Sequence, residues 1–363
     1  MKLLILANAE VIHTHRWVSY FREHGHEVVL ATLEPSGDGV VEGEHLLPSY
    51  FAVDGLKYPA AAFPLARLIR EFKPDLVNAH FVPGYGFMAS LTTSARPLAV
   101  SAWGSDLLLN PEKSLFHRYR AWFVLRCAGL VSCDGTVLRN ALMKLGVEES
   151  RILEVPMGVD TLLFYSERRK NPTVLRPAIG DRPFRIISTR SLEPLYDLDT
   201  LLRAAVILRE GGWNFAVDVV GEGSARESLE AFQDEYSLKE RVIFWGRLTH
   251  SEVAQALRRA GIYVSTSLSD STSVSLLEAM ASGIFPVVTD IEGNRQWIEN
   301  GENGLLFPPG DFGRLSECLA WTFLDDKLRK KARRKNLELI KSKAIWQDNM
   351  KVVEERFLAL IKK

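Results

Sequence analysis

Short continuous apolar runs alternate along the chain with stretches whose apolar positions recur at three and four residues. The first kind fits a strand buried on both faces, the second a helix with one apolar stripe. In the first half, strands are predicted at Lys2–Ala7, Gly25–Ala31, Pro74–His80, Pro97–Trp103, Gly129–Cys133 and Arg151–Val155. Helices fall between them at Arg16–His24, Pro64–Phe72, Ser114–Arg126 and Thr136–Leu145. A polar, proline-punctuated stretch then breaks the rhythm, which restarts at Phe184. Strands follow at Phe184–Arg190, Asn214–Val220, Arg241–Trp245, Ile262–Val264 and Pro286–Thr289, separated by helices at Asp199–Glu210, Ala225–Tyr236 and Ser251–Ala260 and one opening near Val274. The last helix, Trp346–Ile361, repeats Met350, Val353, Phe357 and Leu360 on one face.

Two such series predict an α/β chain with two Rossmann-like, doubly wound parallel sheets, each binding ligands at the carboxyl ends of its strands. The expected division is a first domain over 1–168, a linker over 169–183, a second domain over 184–345 and a final helix over 346–363 that crosses back to the first domain. A helix packed locally on the second domain is the alternative. A chain of 363 residues has room for both domains.

Net charge is +0, which removes a bulk field for nucleic acid, and no nucleic-acid partner is expected. Cys127, Cys133 and Cys318 have no metal-ligand spacing and fit a reducing compartment. The apolar start Met1–Ala7 stops too soon for a leader peptide and reads as a buried strand, and no run approaches a membrane span. A cytoplasmic protein is expected. One stretch qualifies this: 113–126 interleaves Arg118, Arg120 and Arg126 with Phe116, Tyr119, Trp122 and Phe123. It could lie against the anionic inner face of a membrane, or be a solvated or domain-packed helix.

The densest candidate chemistry lies between Ser265 and Thr289. A strand runs into a serine-rich loop that opens a helix, where free N–H groups and small hydroxyls make a cradle for an anion. Asp270 and Glu278 bracket the cradle. Carboxylates repel phosphate, so these two should hold hydroxyls, as on a ribose or a sugar. This points to a nucleotide-sugar site.

The stretch Asp270 … Glu278-Ala-Met-Ala-Ser-Gly283-Ile-Phe-Pro286-Val-Val288 resembles the donor-site signature of the retaining GT-B glycosyltransferases, in particular glycosyltransferase family 4 (glycosyl transferases group 1). Asp270 stands where that family has its first Glu, and Phe285 is an apparent insertion. The resemblance implies two Rossmann-like domains with a cleft between them, and metal-independent transfer of a sugar from a nucleotide-sugar, a UDP-sugar being favoured, to a glycan or lipid-linked acceptor. It implies that Glu278 fixes the ribose, that Asp270 holds a hydroxyl of the transferred sugar, and that Ser271, Thr272, Ser273, Val274 and Ser275 meet the diphosphate. Ser188-Thr-Arg190-Ser-Leu-Glu-Pro194 is the counterpart of a family loop in which the arginine grips the diphosphate. The family's lysine is missing near Leu195, which leaves Arg190, with Arg247, to neutralise the leaving group. Gly221-Glu-Gly223 either approaches the donor or is a tight turn; Arg226 in place of a third glycine argues against a dinucleotide site. Asp197 and Asp199 open a helix and read as capping rather than metal-binding, so no metal or other cofactor is expected. Gly293-Asn-Arg-Gln296 resembles a family element behind the donor loop, with Gln296 in place of an acid.

In the first domain, Trp103-Gly-Ser105-Asp106 replaces a family motif that begins with histidine. An indole can stack on a sugar but cannot shuttle a proton. Asp106 is a candidate to take an acceptor proton or bind a hydroxyl, with capping as the alternative, and His80 a candidate catalytic group or a core histidine. His13, Arg16, Trp103 and Ser105 are candidate acceptor or sugar contacts. Competing readings are a sugar phosphorylase or nucleotide-sugar epimerase of the same fold, and a non-catalytic sugar-nucleotide-binding partner in glycan assembly.

Overall fold

A computed structural model describes residues 1–35, 43–48, 51, 54–92, 97–108, 114–166 and 183–362. The expected linker therefore lies outside the described residues except for Pro183, as does Lys113 of the basic stretch. The chain divides into two compact units, Met1–Pro156 with Asp348–Lys363, and Met157–Gln347.

In the first unit the strands are β1 (Lys2–Leu6), β2 (Glu27–Thr32), β3 (Glu44–Leu46), β4 (Leu76–His80), β5 (Leu98–Ser101), β6 (Leu130–Cys133) and β7 (Ile152–Glu154). They form one sheet in the order β3-β2-β1-β4-β5-β6-β7, every pairing parallel. Leu3, Leu4, Ile5 and Leu6 are fully buried, as a strand covered on both faces requires. The edge strand β3 carries no apolar run and escapes a periodicity reading. Asp54–Phe72 is one helix through Pro59 and Pro64, extending well before the Pro64 start that the sequence suggests.

The second unit holds β8 (Phe184–Ser188), β9 (Phe215–Val220), β10 (Val242–Gly246), β11 (Ile262–Ser265), β12 (Phe285–Thr289) and β13 (Leu305–Phe307). Their order is β10-β9-β8-β11-β12-β13, again all parallel. Each sheet reverses its strand order once, between β1 and β4 and between β8 and β11. Crevices at such switch points are where doubly wound sheets take ligands.

The final helix, Trp346–Ile361, belongs to the first unit from Asp348 onwards. Met350, Val353 and Phe357 are buried, and Phe357 stacks on Phe21 at 5.7 Å between ring centroids. Glu354 accepts hydrogen bonds from Tyr20 (3.0 Å) and from the His26 ring (2.8 Å). Among the described residues no helix is long and apolar enough to cross a membrane.

Candidate active site

At the switch point of the second sheet, the segment leaving β8 meets the loop leaving β11. Arg190 donates from Nη2 to Asp270 (2.7 Å) and from Nη1 to the hydroxyls of Ser273 (2.7 Å) and Ser275 (3.0 Å), while Tyr196 lies under its guanidinium at 4.1 Å. The side chain is only 10% exposed. Burial by itself lowers the arginine pKa, but Asp270, Tyr263 and Tyr196 outweigh it and hold the group above its usual value. Three consecutive side chains here have a buried polar atom without a hydrogen-bond partner among the described residues: Ser188 Oγ, Thr189 Oγ1 and Arg190 Nε. Such groups are costly in a folded protein unless something binds them.

The serine-rich loop opens a helix at Val274, and the hydroxyls of Ser273 and Ser275 are engaged within the protein. Ser273 caps the helix Val274–Ala281 through the amide of Leu276 (3.3 Å), and its carbonyl accepts from Leu277 (3.1 Å). Val274 and Ser275 are the first two residues after that cap, so their amides have no acceptor within the helix. Ser271 and Thr272 are buried in the same loop. Gln296 donates to the Ser271 carbonyl (2.6 Å), a bond that a carboxylate in its place cannot make. A side chain on Gly293 would strike the Asp270 and Ser271 carbonyls, so that element packs directly behind the loop.

Gly221 and Gly223 are explained by packing. A Cβ on Gly221 would come within 2.5 Å of the Arg190 carbonyl, and one on Gly223 would strike the Leu192 carbonyl. The two glycines therefore let the β9 loop press against the loop that carries Arg190. Arg247 is exposed after the edge strand β10 and is outside this hydrogen-bonded group. Glu278 is buried one helix turn beyond the cradle, with His250 Nε2 at 3.5 Å. Asp199 pairs with Arg203, and Asp197, at the N-cap position, accepts from the Thr200 hydroxyl without a side-chain cap on the helix amides.

In the first unit the helix after β1, the end of β4 and the loop after β5 bring together His13, Trp17, His80 and Trp103. His13 stacks on Trp103 (5.8 Å), and His80 lies edge-on to Trp17 (4.8 Å) and tilted to Trp103 (5.2 Å). His13 and Arg16 are in the helix Ile12–Glu23 rather than in a preceding loop, because that helix starts earlier than the sequence suggests. The side chain of Ser105 lies outside the described ones.

Two proton-transfer expectations need correction. Asn78 uses its Nδ2 on the Ala99 carbonyl (3.3 Å) and the Ser101 hydroxyl (3.1 Å), so its Oδ1 accepts from His80 Nε2 (2.9 Å). His80 is thus the Nε2–H tautomer, and burial followed by the nearby His13 pushes its pKa down to about 3. It is a neutral acceptor through Nδ1, not a proton shuttle near neutral pH. Asp106 is fully buried, and its oxygens accept from the amides of Trp103 (3.1 Å), Gly104 (2.9 Å) and Val82 (3.1 Å). It locks two loops together and has no face left for an acceptor.

A model of the glycosyl transferases group 1 matches residues 176–338, and a second, glycosyl transferase 4-like, matches residues 2–134. The putative colanic acid biosynthesis glycosyltransferase WcaL of Escherichia coli K12 is 30% identical over 308 residues, covering 80% of this chain and 73% of that protein. The chain belongs to the group 1 glycosyltransferases. The phosphatidyl-myo-inositol mannosyltransferase of Mycolicibacterium smegmatis is 26% identical over 87% of this glycosyltransferase and 81% of its own length. Anabaena HepE in complex with UDP superposes with a TM-score of 0.80 over 99% of this chain and 100% of its own, at 16% identity. Sucrose-phosphate synthase from Thermosynechococcus elongatus gives 0.80 over 99% of each chain, at 15% identity. The fold of this glycosyltransferase is GT-B.

Sequence reasoning missed Tyr196 and His250. Both follow carboxyl ends of strands in the second sheet, a position that could have flagged them.

Asp106 makes a pH prediction. Burial raises its pKa from 3.8 to about 6, so between those values the unfolded chain ionises first and stability falls as pH rises. The span corresponds to about 3 kcal/mol. His80 works in the opposite sense, losing stability as pH falls below its unfolded value, so the comparison must be with a variant. From pH 4 to pH 7 the wild-type glycosyltransferase should lose more stability than Asp106→Asn, measured by urea unfolding. Equal changes in both would contradict the assignment.

Proposed function

We propose that this glycosyltransferase moves a sugar from a nucleotide-sugar, a UDP-sugar being favoured, to a glycan or lipid-linked acceptor, with retention of configuration and without a metal or other cofactor. The observation that carries this is the run of buried atoms Ser188 Oγ, Thr189 Oγ1 and Arg190 Nε, without a hydrogen-bond partner among the described residues, next to the start of the helix that Ser273 caps. A diphosphate has the charge and the number of oxygens to answer them. The bound UDP of HepE, a protein of the same fold, favours this donor class.

In this reading Glu278 binds the ribose and Asp270 a hydroxyl of the transferred sugar. Arg190 and the Ser271–Ser275 segment stabilise the charge that gathers on the departing diphosphate, the largest lever open to a transferase of this kind. Gly221 and Gly223 shape the Arg190 loop, and Arg247 has at most a peripheral part. In the first unit, His13, Arg16 and Trp103 offer a stacking and hydrogen-bonding surface for the acceptor or the moving sugar. His80 supplies an acceptor atom. The helix Leu115–Cys127 exposes Leu115, Phe116, Tyr119 and Trp122 beside Arg118 and Lys144, with no acid between Ser114 and Ala128. That charge and apolarity suit an anionic lipid surface, where a lipid-linked acceptor would be found.

Three measurements test these readings. UDP at 100 times its Kd should stabilise the protein by about 2.7 kcal/mol. Acceptor-dependent release of UDP should fall at least about a hundredfold in Asp270→Ala and Glu278→Ala while both remain folded. Phosphate-dependent cleavage of a disaccharide without nucleotide would favour a phosphorylase instead, and nucleotide binding without turnover a non-catalytic partner. For the membrane face, co-sedimentation with phosphatidylglycerol vesicles should drop several-fold in Phe116→Ser/Trp122→Ser and be weak on phosphatidylcholine alone. Equal binding to both vesicle types would remove the electrostatic argument.

A further inference from the structure

We infer that His250 is a positioning residue of the donor site: it holds the Glu278 carboxylate where that group reads the ribose hydroxyls of a bound nucleoside diphosphate. The inference rests on the assignment of Glu278 to the ribose. Glu278 is only 6% exposed, and its helix neighbours Leu276, Leu277, Ala279 and Met280 are all in the core. A carboxylate so placed needs donors. Among the described residues the one group within ion-pair reach is His250 Nε2, at 3.5 Å, which is long for a hydrogen bond. The carboxylate is therefore guided from one side and still has lone pairs to offer. The two hydroxyls of a vicinal diol supply what is missing.

The surroundings of His250 suit this task. It is the first residue of the helix His250–Arg259, directly after the cap Thr249. Thr249 and Glu252 form a reciprocal capping box, with the Thr249 amide donating to Glu252 at 2.8 Å. That box fixes the backbone on either side of His250 and engages the Glu252 carboxylate, which is then no rival to Glu278 for the imidazole. The ring packs edge-on against Phe164, with centroids 5.4 Å apart, and keeps 35% of its side-chain surface exposed. A ring packed on Phe164, with one nitrogen towards a buried carboxylate, sets which way that carboxylate faces.

Calorimetric titration of the full chain with UDP and with 2′,3′-dideoxy-UDP tests this. Wild type should prefer UDP about tenfold, the worth of hydrogen bonds to a charged group. His250→Phe keeps the packing on Phe164 and loses the N–H. It should weaken UDP about fivefold to tenfold and leave the dideoxy nucleotide within about twofold, while His250→Gln, which can still donate, recovers most of the loss. An equal loss for both nucleotides, or no loss for either, overturns the role of His250. Glu278→Ala separates the two ideas: with no side-chain acceptor left it should abolish the preference for UDP. If it does not, or if wild type shows no preference or no UDP binding, the ribose assignment itself is wrong and the inference falls with it.

Discussion

A buried guanidinium is the constraint on which the second unit depends. Arg190 can be kept charged and desolvated only if its surroundings supply acceptors, and the loop after β11 is built to do so. Asp270 provides the countercharge, two serines accept from the same fork, and Tyr196 covers its face. Much of the neighbouring sequence serves that arrangement. Gly221 and Gly223 let the next loop approach, Gln296 ties down the Ser271 carbonyl, and Thr266 donates to the Tyr196 carbonyl at 2.6 Å. The result is a rigid set of donors with some left unused, which is the preorganisation that charge stabilisation requires.

The first unit solves a different problem. Its polar residues at the strand ends are mostly satisfied from within. Asp106 spends its lone pairs on backbone amides, and His80 is fixed as one tautomer through Asn78, Ser101 and Ser132. Phe81, directly after His80, adopts a left-handed φ of 73°, strain that the packed surroundings hold in place. What this leaves at the sheet's switch point is the half-buried rings of His13 and Trp103, backed by the buried Trp17, rather than an acid–base pair. Such a surface suits the apolar face of a sugar ring.

Most strands and helices could be read from periodicity, because parallel strands buried on both faces leave unbroken apolar runs. The exceptions have physical causes. Strand β3 is polar and sits on an edge, and the helix at Asp54–Phe72 contains prolines that normally stop one. The acids at 270 and 278 and the arginine at 190 stood out because their spacing and position carry chemistry. Asp106 and His80 looked equally chemical in the sequence, and only burial and hydrogen-bond partners separate a loop lock from a base. His250 was invisible for the opposite reason: its partner Glu278 is remote in sequence, and no local pattern joins them.

The account turns on Arg190 being poised for a diphosphate rather than merely paired for stability. A crystal structure with UDP bound would decide it. The account predicts phosphate oxygens within hydrogen-bond distance of the Arg190 guanidinium and of the Val274 and Ser275 amides. A nucleotide whose phosphates lie elsewhere, with Arg190 still bound only to Asp270 and the two serines, would contradict it.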